Sequence, residues 1–538
     1  SYRILLPDDL DGIRPDNAIE IIGQQNPVGA NAPNLGTVAI TNVSVTGSFH
    51  KNPVAVFNIS EINSLPNTGL SITGLDLTGA TSSWGPLLNV DGVEDDAIDA
   101  SGYGITFPTG YGIVTEIQGE KVGQDGGETT IIGTSLADRL IGKTGNDILL
   151  GGAGDDQLYG ADKPGQPLAG ETGNDRLEGG AGDDYLSGGA ETVADVAVYR
   201  GAIQVTTANL SLIASTDPVN GASFDGWQVD ATGLTTDQGT DRLNDIEIIE
   251  NVDGNGAFVS RILLVGNGGF ASIQAAIDAA VDGDTIMVAS GTWTGDLAVG
   301  SKAITIAGFG DDGAGATIIN GQITVSGLLD GGFTLKDVAV NAVGEAYGVF
   351  VSASSTAMAG SVTLNGVSIS GAEQNGFAYI RAGNGSVPTL ADTIGAVSFL
   401  NSTFSNNATV NTGSGGRGDI MLFGYNGDVT VENTTISAPG AFAQKAFQMR
   451  GVQTPTDAAG VGPYALAGDV DLSGLTVNGN YSQDMLAFYR IAAFNSLDLG
   501  GTSLNGTAPW GLFNADSAGG VVAASGIVST NLRGLCGT

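Results

Sequence analysis

Residues 142–159 read GKTGNDILLGGAGDDQLY, and residues 170–187 read GETGNDRLEGGAGDDYLS. Each stretch is two copies of a nine-residue unit, and a further copy, GTSLADRLI, stands before them at residues 133–141. Aspartate occupies position 6 and leucine position 8 of every unit, and glycine recurs at positions 1, 2 and 4. Five copies in phase are not typical of a flexible linker. They predict a coiled β structure in which each unit adds one turn and one short strand.

The repeated aspartates predict a cation site. Carboxylates and glycine-turn carbonyls, with no histidine or cysteine nearby, are the oxygen ligands of a hard cation, which favours Ca²⁺ over zinc or copper. Glycine permits φ > 0 at positions 1, 2 and 4, so that carbonyl oxygens can point inward. The predicted metal-binding residues are Asp138, Gly142, Gly145, Asp147, Gly151, Gly154, Asp156, Gly170, Gly173, Asp175, Gly179, Gly182 and Asp184. Residues 160–169, GADKPGQPLA, interrupt the run and are expected to loop out.

The segment resembles the RTX (hemolysin-type) calcium-binding repeats. The resemblance implies a parallel β-roll with several Ca²⁺ ions between its turns. It also implies a bacterial protein that is exported by a type I-like route and folds on Ca²⁺ outside the cell or at its surface. The tail GGVVAASGIVSTNL at residues 519–532 is compatible with the uncleaved C-terminal signal of that route, and DVAVYR at residues 195–200 resembles the strand that closes such rolls.

Composition agrees with a calcium protein and excludes other partners. Lysine and arginine total 19 against 57 aspartates and glutamates, for a net charge of −38. Such a surface repels nucleic acid and anionic membranes, and it attracts divalent cations. The chain has one cysteine, Cys536, and one histidine, His50, so it has no disulfide framework. No apolar run approaches the ~18 residues of a membrane span.

A second, longer repeat occupies residues 266–538. Positions 1, 3 and 8 are apolar in all of its copies, and position 5 is Asp, Asn or Gly, which tolerate a left-handed bend. Each copy therefore predicts two short strands joined by a tight bend, stacked in a solenoid. The copies are FTLKDVAVN at Phe333, VTLNGVSIS at Val362, VSFLNSTFS at Val397, VTVENTTIS at Val429, VDLSGLTVN at Val470 and LDLGGTSLN at Leu497.

The entrance to this solenoid predicts a cap. Ile273, Ala276, Ile277 and Ala280 have helical spacing ahead of a strand at residues 285–289. A short helix there would cover the open edge of the first coil. The stretch through KAITIAGFGDDGAGATIING at residues 302–321 resembles the right-handed parallel β-helix proteins of the pectin-lyase-like superfamily. That resemblance implies a fold and no single activity, because the scaffold serves both enzymes and adhesins.

The predicted chain is all-β and has four parts. Residues 1–128 alternate apolar and polar residues and predict an antiparallel β-domain, a sandwich. Residues 129–194 form the RTX β-roll, residues 195–265 a β-rich flank, and residues 266–538 the right-handed parallel β-helix capped by its helix.

Two classes of function compete. Arg381, Arg450 and Arg490 are expected at one register of a recurring strand, and Asp471 and Asp498 share position 2 of adjacent copies. Such a row suits an acidic glycan, but it is also typical of paired surface charges, each worth ~0–1 kcal/mol. We favour a structural or adhesive protein of the bacterial surface or matrix (surface layer, filament or adhesin) that self-associates or binds extracellular polysaccharide. The alternative is a calcium-dependent lyase or epimerase; with no histidine in the solenoid, a histidine mechanism is excluded.

Overall fold

The computed structural model of the protein describes most residues from 137 to 516 and isolated strands before them. Its ranges are 19–22, 38–41, 44–49, 54–57, 70–73, 76–82, 88–90, 130–132, 137–142, 145–160, 173–189, 194–218, 221–233, 238–313, 315–327, 331–353, 360–381, 395–411, 417–437, 439–451, 467–489, 491 and 494–516. Gly170, Arg490, His50, Cys536, residues 161–169 of the predicted loop and the tail at residues 519–532 lie outside the described residues. The chain forms two compact units, Ser1–Phe270 and Ala271–Thr538.

The described strands near the N terminus pair in parallel. They are β1 (Ile19–Ile22), β2 (Val38–Thr41), β3 (Ser44–Phe49), β4 (Val54–Phe57), β5 (Leu70–Thr73), β6 (Asp76–Ser82) and β7 (Leu88–Val90). Each strand pairs with the third strand after it: β1 with β4, β2 with β5, β3 with β6 and β4 with β7. The antiparallel pairing predicted for a sandwich is therefore wrong for these strands. Alternation of apolar residues indicates which face of a strand is buried, and it does not fix the direction of the neighbouring strand.

The nonapeptide repeats form the facing sheets of a β-roll. One sheet has the order β8 (Thr130–Ile132), β10 (Ile148–Ala153), β12 (Arg176–Ala181), β14 (Val196–Arg200), β18 (Ile248–Val252) and β19 (Phe258–Val265). The other has the order β9 (Arg139–Ile141), β11 (Gln157–Tyr159), β13 (Tyr185–Ser187), β17 (Thr240–Asn244), β16 (Ser223–Asp230) and β15 (Leu210–Thr216), with a 3₁₀ turn at Thr207–Asn209. Successive units thus contribute strands to alternate sheets.

Position-8 leucines fill the thin interior of the roll. Leu140 lies beside Leu158 and Leu158 beside Leu186, while Leu149 lies beside Leu177 in the other sheet. All are at most 1% exposed. The chain between Leu158 and Leu186 is longer than that between Leu140 and Leu158 by ten residues, yet the leucine register is kept. The interruption of the repeat is therefore accommodated outside the strands, as the sequence predicts.

The roll continues beyond the repeats. β14 carries the DVAVYR sequence that was expected to close it, but β14 pairs in parallel with both β12 and β18. β13 likewise pairs in parallel with β17. Only then do the sheets turn antiparallel, through β16 and β15 on one side and β19 on the other. The sheets thus run across the predicted boundary between residues 194 and 195.

The second unit is a parallel β-helix whose coils each contribute strands to three rows. The first row is β20 (Thr285–Val288), β23 (Thr305–Ala307), β26 (Gly332–Asn341), β28 (Ser361–Ser370), β30 (Val397–Leu400), β33 (Val429–Glu432), β36 (Ala467–Asp471) and β39 (Phe494–Asp498). The second is β21 (Gly291–Thr294), β24 (Thr317–Asn320), the ends of β26 and β28, β31 (Thr403–Ser405), β34 (Thr434–Ser437), β37 (Leu475–Asn480) and β40 (Ser503–Thr507). The third is β22 (Leu297–Gly300), β25 (Ile323–Ser326), β27 (Tyr347–Ala353), β29 (Asn375–Arg381), β32 (Gly418–Phe423), β35 (Lys445–Arg450), β38 (Asp484–Tyr489) and β41 (Gly511–Asp516).

The predicted register of the long repeat is confirmed. The position-1 residues of successive copies are direct neighbours in the first row: Phe333, Val362, Val397, Val429, Val470 and Leu497. Position 5 bends the chain with positive φ at Asp337 (53°), Gly366 (65°), Asn401 (49°) and Asn433 (46°). The Asn433 side-chain amide donates to Oδ1 of Asn401 at 3.2 Å, so the bends are also linked from coil to coil.

Helix α1 (Ile273–Ala279) lies at the first coil. Its buried side chains are Ile273, Ala276 and Ile277, as the helical spacing predicts. Ser272 begins the helix by accepting a hydrogen bond from the backbone N–H of Ala275 at 3.1 Å. Among the described residues, no helix is long and apolar enough to cross a bilayer.

Candidate calcium site

The aspartates at position 6 form two rows inside the roll. In the first row, Oδ1 of Asp156 accepts from the backbone N–H of Asp138 at 2.7 Å, and Oδ1 of Asp184 accepts from that of Asp156 at 2.7 Å. Asp241 continues the row by accepting from the N–H of Asp184 at 2.9 Å. Each carboxylate therefore fixes the backbone of the preceding coil. Oδ2 of Asp156 and Oδ2 of Asp184 lie at the turn that begins their own unit, where a Cβ added to Gly151 or Gly179 would be 2.4 or 2.2 Å away.

The second row lies on the opposite edge and has the same pattern. Asp175 accepts from the backbone N–H of Asp147 at 2.7 Å, and Asp195 accepts from that of Asp175 at 2.7 Å. The row ends on Glu247, whose Oε2 accepts from the N–H of Asp195 at 2.8 Å. Predicted ligands Asp138, Asp147, Asp156, Asp175 and Asp184 are thus brought together in two files rather than in one.

Glycine at position 1 makes room for the carboxylate of its own unit. A Cβ added to Gly151 would lie 2.4 Å from Oδ2 of Asp156 and 2.5 Å from the carbonyl oxygen of Gly179, which belongs to the next coil. A Cβ on Gly142 would lie 2.6 Å from Oδ2 of Asp147. We call such an arrangement a glycine–aspartate cradle: a position-1 glycine, its own aspartate and a carbonyl of the next coil. It places carboxylate and carbonyl oxygens together, as Ca²⁺ requires.

Positive φ is found at position 2 and at position 4 apart from Gly173, and not at the described position-1 glycines. At position 4, φ is 121° at Gly145, 107° at Gly154 and 133° at Gly182. At position 2, φ is 110° at Gly152 and 107° at Gly180. The expectation of a left-handed turn at position 1 is therefore wrong. Glycine is needed there because the carboxylate approaches too closely for any side chain.

Gly160 takes the place next to the interruption that the sequence assigns to Gly170. A Cβ on Gly160 would lie 2.2 Å from Oδ2 of Asp175. At position 4 of the same unit, a Cβ on Gly173 would lie 1.9 Å from the carbonyl oxygen of Gly145 in the coil before it. The inserted residues therefore follow the position-1 glycine instead of preceding it. Since both Gly160 and Gly170 are glycines, the sequence alone does not show which of them is position 1 of the unit that contains Asp175.

Two of the buried carboxylates, Asp156 and Asp184, each have one oxygen that no donor among the described residues reaches. Asp156 is 1% exposed and Asp184 is fully buried, and Oδ2 of each has no hydrogen-bond partner among the described residues. Burial, with the neighbouring carboxylates adding to it, raises the pKa of Asp156 to about 8. Burial likewise raises the pKa of Asp184 to about 6. A bound cation favours the ionised form of both groups and supplies the partner that each oxygen lacks.

Carboxylates alone do not complete a site. Within the part of the chain that the structure describes, no three Asp, Glu, His or Cys side chains converge as metal ligands. The remaining ligands must then be backbone oxygens, such as the carbonyl oxygen of Gly179 beside Asp156. This donor set fits Ca²⁺, which takes 6–8 oxygens and accepts carbonyls. It does not fit zinc, which prefers nitrogen and sulfur ligands.

Sequence reasoning missed three members of the rows: Asp195, Asp241 and Glu247. Asp241 was within reach, because GTDRLN at residues 239–244 shares Asp-Arg-Leu with GNDRLE at residues 173–178. Asp195 lies seven residues after its glycine, Gly188, instead of five, so the nonapeptide spacing does not reveal it. Glu247 is a different residue type, and only the strand register places it.

The arginines of the β-helix do not form the predicted row. Arg450 is paired with Phe423, which is itself paired with Ile380, so Arg450 is one residue out of register with Arg381. Arg381 is 7% exposed, whereas the Arg450 guanidinium stacks 4.8 Å from the centre of the Phe423 ring. Successive side chains of a strand point to opposite faces of the sheet, so a shift of one residue places the two guanidinium groups on opposite faces. Arg490 lies outside the described residues.

The two aspartates of the β-helix that were candidate catalytic residues have a structural role. Asp471 and Asp498 are direct neighbours on β36 and β39, in the first row of strands, whereas the arginines belong to the third. Oδ1 of Asp471 accepts from the N–H of Ser473, and Oδ1 of Asp498 from that of Gly500, both at 2.8 Å. Each carboxylate stabilises the bend of its own coil.

A buried polar cluster in the third row of strands was not predicted. Lys445 is 5% exposed, and its ammonium lies 5.6 Å from the centre of the Tyr489 ring. The Tyr489 hydroxyl donates to Oδ2 of the fully buried Asp484 at 2.6 Å. Burial lowers the pKa of Lys445, and the charge of Asp484 opposes that shift. Asp484 and Tyr489 are the two ends of β38, and Lys445 begins β35 in the coil before it, so only the stacking of the coils brings the lysine to the other two.

Comparison with known families identifies the repeats. Residues 132–162 and 168–191 match the family model of the RTX calcium-binding nonapeptide repeat in four copies, so this segment binds Ca²⁺ at several sites. Neither the curated proteins nor the solved structures include a match to the chain. The resemblance of residues 266–538 to pectin-lyase-like proteins therefore stays a prediction, beside an observed parallel β-helix.

Proposed function

We propose that this chain is a secreted structural or adhesive protein of the bacterial cell surface or extracellular matrix, folded by Ca²⁺ after type I-like export. One observation carries the proposal: the interior of the roll is lined by buried carboxylates, and within the described part of the chain Oδ2 of Asp156 and of Asp184 has no hydrogen-bond partner. Such an interior is complete only with a cation. A fold that needs Ca²⁺ is suited to a compartment where Ca²⁺ is abundant.

Linkage between binding and folding provides the switch. In a cytosol poor in Ca²⁺, the stacked aspartates repel one another and keep the repeats unfolded, which suits export. Outside the cell Ca²⁺ is millimolar, and extracellular sites bind at about 10⁻⁴–10⁻³ M. Binding to the folded state alone then supplies folding free energy.

The β-helix supports a structural role more than a catalytic one. The arginine row that would hold an acidic glycan is divided, with Arg381 buried and Arg450 stacked on a ring. The tripeptide Arg417-Gly418-Asp419, a known adhesion sequence elsewhere, is buried here, with Asp419 fully inaccessible. Adhesion or assembly would therefore use the outer surface of the stacked coils and not this motif.

The alternative function rests on the cluster of Lys445, Asp484 and Tyr489. A lysine with a lowered pKa beside a carboxylate and a phenol is chemistry that a lyase or epimerase could use for proton transfer. The chain should then release unsaturated product from an acidic polysaccharide in the presence of Ca²⁺. Lys445→Ala would abolish that absorbance change if the alternative holds.

Self-assembly tests the structural proposal. We expect light scattering by the purified full chain to rise when millimolar Ca²⁺ is added, and to fall back with excess chelator. Asp156→Asn should raise the Ca²⁺ concentration needed, whereas the matched variant Asp225→Asn, at an exposed position of β16, should not. A monomeric, Ca²⁺-saturated chain that processes acidic polysaccharide would favour the enzyme instead.

A further inference from the structure

The glycine–aspartate cradle is the unit that repeats along the roll. In the cradle at Gly142, the carbonyl oxygen from the next coil is that of Gly160, 2.5 Å from the position of an added Cβ. In the cradle at Gly151 it is that of Gly179, also at 2.5 Å. Both cradles lie within the residues that match the RTX family model.

A third cradle lies where the sequence repeat has ended. A Cβ on Gly188 would lie 2.2 Å from Oδ2 of Asp195 and 2.3 Å from the carbonyl oxygen of Asp245. Asp195 is fully buried, like the aspartates of the repeats. Asp245 is a non-glycine residue with φ of 50°, so the backbone makes a left-handed bend at the residue whose carbonyl faces Gly188. The family match ends at residue 191, before Asp195 and Asp245.

The third cradle continues the second row of carboxylates. Oδ1 of Asp195 is used by the N–H of Asp175, and Oε2 of Glu247 accepts from the N–H of Asp195 at 2.8 Å. Glu247 therefore stands where the next aspartate of the row would stand. Its side chain adds one more carboxylate to the coil that provides the Asp245 carbonyl.

The first row ends differently, on a carboxylate that protein donors complete. Oδ1 of Asp241 accepts from the N–H of Asp184 at 2.9 Å, and its Oδ2 accepts from the Tyr199 hydroxyl at 2.8 Å. A phenol thus donates to Oδ2 of Asp241, whereas Oδ2 of Asp156 and of Asp184 has no hydrogen-bond partner among the described residues. Glu247 ends the second row as Asp241 ends the first, because each accepts from the backbone N–H of the aspartate before it. Glu247, however, follows the cradle of Gly188, Asp195 and the Asp245 carbonyl, which has the same form as the cradles of the repeats.

We infer that Gly188, Asp195, Glu247 and the carbonyl of Asp245 form a further Ca²⁺ site, outside the recognised repeats. The inference rests on the proposal that Ca²⁺ folds the roll. Two carboxylates and a carbonyl, with no nitrogen or sulfur ligand, suit the same hard cation. The site joins the last repeat to β18, so Ca²⁺ also organises the flank at residues 238–252.

Counting bound ions tests the inference. The full chain, Asp195→Asn and Glu247→Gln are dialysed against saturating Ca²⁺, and the metal per chain is measured by mass spectrometry; Asp225→Asn is the matched control. We expect both site variants to hold one ion fewer than the wild type and the control, with circular dichroism confirming that they are folded. The wild-type number of ions per chain in both folded site variants would overturn the inference.

A measurement on the unaltered chain covers the case in which a variant does not fold. Crystals grown with Tb³⁺ in place of Ca²⁺ should show anomalous scattering beside Asp195 and the Asp245 carbonyl. Scattering at the cradles of Gly142 and Gly151 without scattering there would overturn the inference and leave the proposed function intact. A wild-type chain that binds no Ca²⁺ in either experiment would overturn both.

Discussion

The roll and the β-helix are both stacks of parallel coils, but their interiors are completed in different ways. The repeat strands of the roll, β9 to β13, have three to six residues, and each places its position-8 leucine in the interior, with buried aspartates at both edges. The β-helix fills its coils with rings and branched side chains, as where Phe399 lies 5.0 Å from Phe377 and 5.7 Å from Phe404 between ring centres. One interior has buried carboxylate oxygens that suit an added ion, and the other is filled by its own apolar side chains.

Because their interiors differ, the two solenoids of the chain should respond to different conditions. Buried apolar area stabilises the β-helix whatever the ionic conditions. Burying carboxylates without partners costs free energy, which only a cation can offset in the roll. Ca²⁺ should therefore determine whether the roll of the first unit is folded, and it should leave the folding of the second unit unchanged.

Removal of Ca²⁺ is expected to have the largest effect. Each site held 100-fold above its Kd adds ~2.7 kcal/mol to the folded state, so the loss of several sites exceeds the stability of a small domain. In excess chelator, hydrogen exchange of residues 137–187 and 238–252 should rise to that of an unfolded chain. Residues 333–341 and 429–437 should stay protected. Equal protection of the roll with and without Ca²⁺ would contradict the comparison.

A core truncation in the β-helix should have the converse signature. Phe399 is fully buried, and Phe399→Ala should destabilise the second unit by about 3–5 kcal/mol, because it removes two ring contacts and leaves a cavity. Phe442, 40% exposed, supplies the control: Phe442→Ala should change stability by about 0.5 kcal/mol or less. Calorimetry should give the same loss for Phe399→Ala in Ca²⁺ and in chelator. A Ca²⁺-dependent loss would show that the two interiors are not independent.

Regular features were predictable, and features set by stacking were not. Identical spacing revealed the aspartates at 138, 147, 156, 175 and 184 and the register of Phe333 with Val362, because each repeats a local pattern. The direction of pairing of β1 with β4 was not predictable, since alternation is common to parallel and antiparallel strands. Asp195 was not predicted because two extra residues separate it from Gly188. Glu247 was not predicted because it is a glutamate, and only the stacking of the coils places it in the row of aspartates.

A single added methyl group in a cradle should weaken Ca²⁺ binding without removing a ligand. Gly151→Ala would place Cβ 2.4 Å from Oδ2 of Asp156, and the overpacking costs about 1–3 kcal/mol. The midpoint of the Ca²⁺ titration, followed by circular dichroism, should rise roughly tenfold. Gly254→Ala is the matched control, since nothing lies within 4 Å of its added Cβ. An unchanged midpoint in Gly151→Ala would exclude the cradle as a metal site.

The bends of the β-helix should show a smaller, Ca²⁺-independent effect. Asn401 has φ of 49° and donates to Oδ1 of Asn365 at 3.0 Å. Asn401→Ala keeps the left-handed strain and loses the amide, so it should cost about 1–2 kcal/mol in thermal unfolding. Asn401→Gly relieves the strain and loses the same amide, and it should cost less. If glycine is as harmful as alanine, the amide and not the backbone determines the bend.

A pH-dependent effect is expected from a carboxylate that is buried within the β-helix. Asp419 is fully buried, and burial raises its pKa to about 7, although the Asn407 amide and the Tyr481 hydroxyl donate to it at 3.0 Å. The folded state therefore binds this proton more tightly than the unfolded state, whose pKa is near 3.8. Stability from this group is present below pH 3.8 and is lost as pH rises to about 7.

Asp419→Asn keeps the shape of the protonated acid and removes the titration. In saturating Ca²⁺, the melting temperature of the β-helix should fall between pH 5 and pH 8 by less in Asp419→Asn than in the wild type. Asp312→Asn, at an exposed position of the same unit, should keep the wild-type pH dependence. An identical pH dependence in all three chains would mean that Asp419 stays ionised, and that the β-helix also holds an uncompensated charge. The contrast between an interior completed by a cation and one completed by its own side chains would then fail at this residue.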